Sequence, residues 1–215
     1  AFIGNGLALI QQTMTFFGIG FTQALDQNFW SVVRIGSRFG DIWNIRMLFL
    51  LVVAAMFAAS LYFRRSQPET VRPFWIANAW MMSLVLGSFS VLSHAAGSLI
   101  LPWVGIAVDW LHALAVGLWA GGLVALVLVL PVALQPYTDE TRRFALIAVL
   151  RRFSRWALVC VALVTVTGIY SASNWIITPR DASTNFGLSL FVKLALVMVL
   201  IAIGGLHHIA LRPAK

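Results

Sequence analysis

The chain has 215 residues, 60% of them hydrophobic and only 10% charged, with 15 Lys and Arg against 7 Asp and Glu. A soluble globular domain carries about a quarter charged residues, so this composition, with its mean hydropathy of +0.90, excludes that class. The net charge of +8 does not indicate nucleic acid, because the arginines cluster in short connections between apolar runs, where the positive-inside bias puts them.

In chain order the apolar runs predict an all-α, polytopic transmembrane helix bundle of about six spans, forming a single membrane domain over residues 1–215. The first run, about 2–24, is interrupted by GIG at Gly18–Gly20 and starts without Met or a charged n-region. It reads as the tail of a helix from a longer precursor or as the start of an ordered portion. A polar connection with Asp26, Arg34, Arg38 and Asp41 leads to the second span, about 42–62, which stops at Arg64–Arg65. The third span is about 74–93. HAAGSLILP then breaks the chain before a long fourth span at about 102–132, and a basic loop carries Arg142, Arg143, Arg151, Arg152 and Arg155. The fifth span is about 155–177, TPRDASTNFG is a turn, and the sixth span is about 187–209. Ten of the 15 Lys and Arg fall in the 64–72 and 142–155 connections and the C-terminus; that side is expected to be cytoplasmic, with both termini on it. Arg34, Arg38 and Arg180, with Arg46 near them, mark the other side.

Within this layout the histidines stand out. From Phe74 to His94 is 20 residues, about 30 Å at 1.5 Å per residue, and from Val132 back to His112 is the same distance. Both imidazoles thus reach the outer edge of the hydrocarbon on consecutive helices, and Asp109, three residues before His112, shares its helical face. Two imidazoles and a carboxylate at one depth suit a borderline or soft metal, copper or zinc, or a proton. Asp109 is either a third ligand or the hydrogen-bond partner that fixes the tautomer of His112. His207 and His208 are adjacent, so they point about 100° apart and cannot both face one site from their helix. They are read as an interfacial helix end, with a metal or proton exit position as the alternative.

Met81 and Met82 form the one close methionine pair, a second source of soft ligands. Lys193 either snorkels outward or pairs with a carboxylate such as Asp109. Thr165 and Thr167 are expected to bond backbone carbonyls, and Gly117, Gly121 and Gly122 to let helices approach closely. The single cysteine, Cys160, reads as a small core residue. No Walker loop, GxSxG, HExxH or CxxC is present, so no enzymatic activity is expected.

The runs HAAG, DWLHALAVGLWAGGL, RFSRWALVCVALVTVTGIYSA and FGLSLFVKLALVMVLIAIGGLHH, in that order over about residues 36–210, resemble the membrane domain of the copper resistance protein D (CopD) family. The resemblance implies a multi-pass protein of the bacterial cytoplasmic (inner) membrane that takes up copper and passes it from the periplasm toward the cytoplasm. It also implies a periplasmic CopC-like copper-binding partner, and it carries over His94, Asp109, His112, Trp119, Gly121, Gly122 and Lys193 by motif. Two other readings of the same residues stay open. One is a membrane redox protein in which His94 and His112 hold haem b. The other is an accessory subunit of a larger membrane complex, without transport of its own.

Overall fold

The computed structural model describes residues 1–93, 102–173 and 183–210, and of these the side chains other than 68, 70, 185, 186, 200, 201 and 203–210. The described residues are all-α, as expected, and divide into two compact units, Ala1–Trp110 and Leu111–Lys215.

In the first unit, α1 (Phe2–Phe17) ends at Gly18, whose φ of 65° is the left-handed conformation glycine adopts without steric cost. The expected GIG interruption is therefore a helix stop, followed by the short α2 (Phe21–Ala24). The 26–41 stretch, expected as a polar connection, is instead mostly helical. Asp26 accepts the Asn28 N–H at 2.9 Å and opens α3 (Gln27–Gly36). Ser37 accepts the Gly40 N–H at 3.0 Å and opens α4 (Arg38–Phe63). The corner between them is tight, because a Cβ on Gly40 would overlap the backbone carbonyl of Arg34. Across it Arg34 Nε donates to Asn44 Oδ1 at 3.1 Å, and Asn44 Nδ2 donates back to the Arg34 carbonyl at 3.3 Å.

After the Arg64–Arg65 turn, α5 (Pro68–Ser90) packs against α4, with Pro68 at a helix start where its missing N–H costs nothing. Phe57 meets Trp75 edge to face at 5.7 Å, and Phe63 stacks on Phe74 at 6.3 Å. The beginning of α6 (Pro102–Leu128) is fixed on α5 by Trp110, whose indole lies 3.4 Å from a Cβ built on Gly87 and donates to the Ser83 carbonyl at 2.9 Å.

The second unit holds the rest of α6, then α7 (Leu130–Ala133), α8 (Asp139–Ser173) and α9 (Asn185–Ala210). The basic loop expected over 142–155 is a helix instead, the N-terminal part of the 35-residue α8. Asp139 and Glu140 lie in its first turn, where they complement the helix dipole, and no Gly or Pro interrupts it before Gly168. At 1.5 Å per residue α8 is about 52 Å long, well beyond the roughly 30 Å of a hydrocarbon core. Helices α6 and α8 run antiparallel, with His112 beside Gly168 and Gly122 against Phe153. The close approach uses Gly122 and Gly168, while the space around Gly121 is open. Cys160 is buried, as expected of a small core residue.

Among the described residues α4, α6 and α8 are long and apolar enough to cross a membrane, and Gly187–Val199 of α9 is a shorter apolar stretch. The expected spans at 74–93 and 187–209 fall on α5 and α9, and the expected 2–24 is divided between α1 and α2; none of these is among the three described helices of spanning length and hydropathy. Large apolar side chains are exposed along the long helices, among them Leu118, Val127 and Val166, as lipid-facing surfaces require. The segments 94–101, 174–182 and 211–215, and with them the first half of the turn at 178–187, lie outside the described residues.

Candidate metal-binding histidine

His112 lies half-buried on α6. Its Nδ1 is 2.9 Å from Thr167 Oγ1 on α8, and its ring edge lies 3.6 Å from a Cβ built on Gly168. Glycine at 168 thus lets the imidazole come close to the α8 backbone. Thr167 is buried, and its hydroxyl is 2.5 Å from the Leu163 carbonyl and 3.3 Å from that of Val164. A threonine hydroxyl carries one proton. That proton goes to a helix carbonyl, so Oγ1 is left to accept, and Nδ1–H of His112 is the donor. The arrangement fixes the tautomer and leaves Nε2 with the lone pair a metal takes up. A ligating histidine ordinarily has its second nitrogen held this way by an oxygen acceptor.

Asp109 is expected from its spacing either as a third ligand or as the partner that fixes the tautomer of His112; the observed partner of Nδ1 is Thr167. Asp109 is half-buried, three residues before His112 on α6. His94 lies outside the described residues, and His207 and His208 are placed only by the backbone of α9. Trp119 is half-buried on α6, Lys193 is exposed on α9, and Met81 and Met82 are half-buried and exposed on α5. Among the described residues no three His, Cys, Asp or Glu side chains come together as a metal cluster. The carbonyl bonds expected of the threonines are present, from Thr165 to Val161 and from Thr167 to Leu163. The second bond of Thr167, to His112, depends on how α8 is set against α6, which no local pattern encodes.

Arg46 also departs from expectation. Grouped by sequence with the charges of the outer connections, it is 1% exposed within α4. Its Nε donates to Ser88 Oγ at 2.7 Å, Nη2 to the Ser88 carbonyl at 3.2 Å and Nη1 to Asn5 Oδ1 at 3.0 Å. The Phe89 ring covers one face of the guanidinium at 3.6 Å.

Fold and site together define an all-α membrane protein with a half-buried histidine on α6 hydrogen-bonded to a threonine of α8. Comparison with known proteins agrees with that class. Residues 147–215 match the family model described as copper resistance protein D, a stretch that includes Thr167, Gly168 and Lys193. The chain is 29% identical over 218 residues to the protein named copper transport protein CutJ of Bacillus subtilis (strain 168). That alignment covers 98% of this chain and 38% of the relative, so the chain spans little more than a third of its length. The two matches bear out the resemblance to the copper resistance protein D family. No solved structure matches the chain.

Proposed function

We propose that this chain is the membrane part of a copper-handling protein of the bacterial inner membrane, and that copper enters it at His112. The observation that supports this most is the His112–Thr167 bond, which commits Nδ1 and leaves Nε2 as the imidazole nitrogen available to copper. Asp109, on the same helix, and His94, from the preceding connection, are the proposed further ligands. Copper would pass from the periplasmic side toward the cytoplasm, received from a CopC-like partner, with the basic connections and both termini on the cytoplasmic side. Lys193, Trp119, Met81 and Met82 are proposed as residues around this route, and His207 and His208 as residues at its inner end. The copper in the relative's name and the match to the copper resistance family favour this reading over a haem protein or a passive subunit.

The test is copper stoichiometry and affinity of the purified membrane protein beside a visible spectrum, for the parent and for His112→Ala. The proposal expects copper near one per chain, lost in the variant, and no Soret band. Unchanged copper binding in His112→Ala would refute the site. A Soret band with stoichiometric iron would turn the same histidine into a haem ligand.

A further inference from the structure

A second polar centre lies in the first unit, where Asn5 of α1, Arg46 of α4 and Ser88 of α5 meet. Arg46 is the ninth residue of α4, about 12 Å from its start, and at 1% exposure it is enclosed on all sides and cannot reach a headgroup layer. Its described partners are all neutral: Ser88 through hydroxyl and carbonyl, Asn5 through Oδ1. Among the described residues no carboxylate pairs with it. A guanidinium has five N–H donors and three of them are used here, so two are left over. Asn5 adds to the surplus. It is 2% exposed, its carbonyl accepts the Trp43 indole N–H at 2.7 Å, and no described acceptor reaches its Nδ2. Because Oδ1 of the same amide is bound to Arg46 Nη1, that unpartnered nitrogen sits beside the guanidinium. The Ser88 hydroxyl accepts from Arg46 Nε and donates to the Val85 carbonyl at 2.6 Å, so it brings no charge to the centre.

The centre therefore combines one buried positive charge, unspent N–H donors on two side chains and, among the described residues, no paired negative charge. Neutral partners satisfy hydrogen bonds but leave the desolvated charge uncompensated, which is why buried charges elsewhere are found paired. Ionisable side chains enclosed in membrane helices are as a rule there for function. We propose that Arg46 and Asn5 form a binding site for a small monovalent anion of the chloride class. One positive charge calls for one negative charge. The Phe89 ring already occupies one face of the guanidinium, so the anion is met by N–H groups at its edge together with Asn5 Nδ2. Bound there, it also secures α1 against α4, because its ligands come from those two helices. The site shares no residue with the proposed copper route, so the two stand or fall separately.

The experiment compares thermal midpoints of the purified membrane protein in chloride, bromide and gluconate at equal ionic strength, so that general screening is constant. Chloride and bromide are expected to raise the midpoint saturably, by roughly 5 °C, as a ligand that binds only the folded state does. Arg46→Gln should abolish the difference. Because that variant can fail to fold, Asn5→Asp provides an independent test: it keeps the shape and the acceptor for Nη1 while supplying an internal carboxylate. In Asn5→Asp the anion dependence should vanish, and the midpoint in gluconate should reach that of the parent in chloride. Equal parent midpoints in all three salts would overturn the proposal, as would a chloride effect that persists undiminished in Asn5→Asp.

Discussion

Replacing Thr167 with valine tests the reading of His112 most directly. Valine keeps the branched shape of threonine but removes the oxygen that accepts the Nδ1–H, at 2.9 Å. The ring is half-buried, so water compensates for part of the loss, and a net cost of about 1 kcal/mol is expected, as for a typical intramolecular hydrogen bond. At 1.4 kcal/mol per factor of ten, that is about a fivefold fall in copper affinity. Loss of the preferred tautomer and ring orientation adds to it, toward the 10–100-fold range seen when partners behind metal ligands are removed. Thr167→Ser keeps both the acceptor and the bond to the Leu163 carbonyl, and should stay within about threefold of the parent by the same arithmetic. The assay is competition for Cu(I) against a chromophoric chelator, on detergent-purified protein at one pH. If Thr167→Val binds copper as tightly as the parent while His112→Ala does not bind it, the Nδ1 bond does not orient the ligand. If Thr167→Ser is as weak as Thr167→Val, packing rather than hydrogen bonding accounts for the loss. Either result refutes the reasoning.

Three further outcomes follow from close contacts. Gly122→Ala drives a Cβ into the Phe153 ring and should cost about 1–3 kcal/mol, read as a lower thermal midpoint, with Phe153→Leu in the same chain restoring at least half of it. Gly40→Ala should cost more, about 3 kcal/mol, because its Cβ meets the backbone carbonyl of Arg34, which cannot rotate away; a smaller cost than that of Gly122→Ala would contradict the corner as described. Trp43→Phe removes the indole donor to the Asn5 carbonyl and should lower stability by about 1 kcal/mol without altering copper binding, as denaturation and copper titration together would show.

What was legible in the sequence was whatever depends on composition and on distance along one helix. Apolar run lengths gave the all-α membrane class and the locations of the long helices, and the i, i+3 spacing put Asp109 and His112 on the same stretch of α6. GIG was correctly read as a break because only Gly18 has to adopt a positive φ. Charge density misled in two places. The arginines of 142–155 suggested a loop, yet arginine is a good helix former and the helix simply continues past the apolar segment. The polar residues of 26–41 also suggested a loop, although Asp26 and Ser37 are helix-capping residue types and each opens a helix. Thr167 and Arg46 were hidden for a different reason. Each acquires its role from residues on another helix, 55 positions away for Thr167 and about 41 for Arg46, and for Thr167 the close approach of α6 and α8 at Gly122 and Gly168 brings the partner near rather than any local pattern.

These two polar centres also differ in how many helices each ties together. Arg46 uses three donors on two neighbouring helices, so its removal should disturb three elements at once. His112 uses one nitrogen on one threonine and keeps the other. A double-mutant cycle on stability makes the distinction measurable. If the Thr167 hydroxyl serves only His112 and its own helix carbonyl, Thr167→Val should cost about 1 kcal/mol in the parent and close to nothing in a His112→Ala background, where no Nδ1–H remains to be accepted. An equal cost in both backgrounds would mean that the hydroxyl stabilises α8 by itself and that the imidazole merely lies beside it. A coupling near the full cost of the single change would identify Thr167 and His112 as one unit spanning two helices, with Nε2 as its free end.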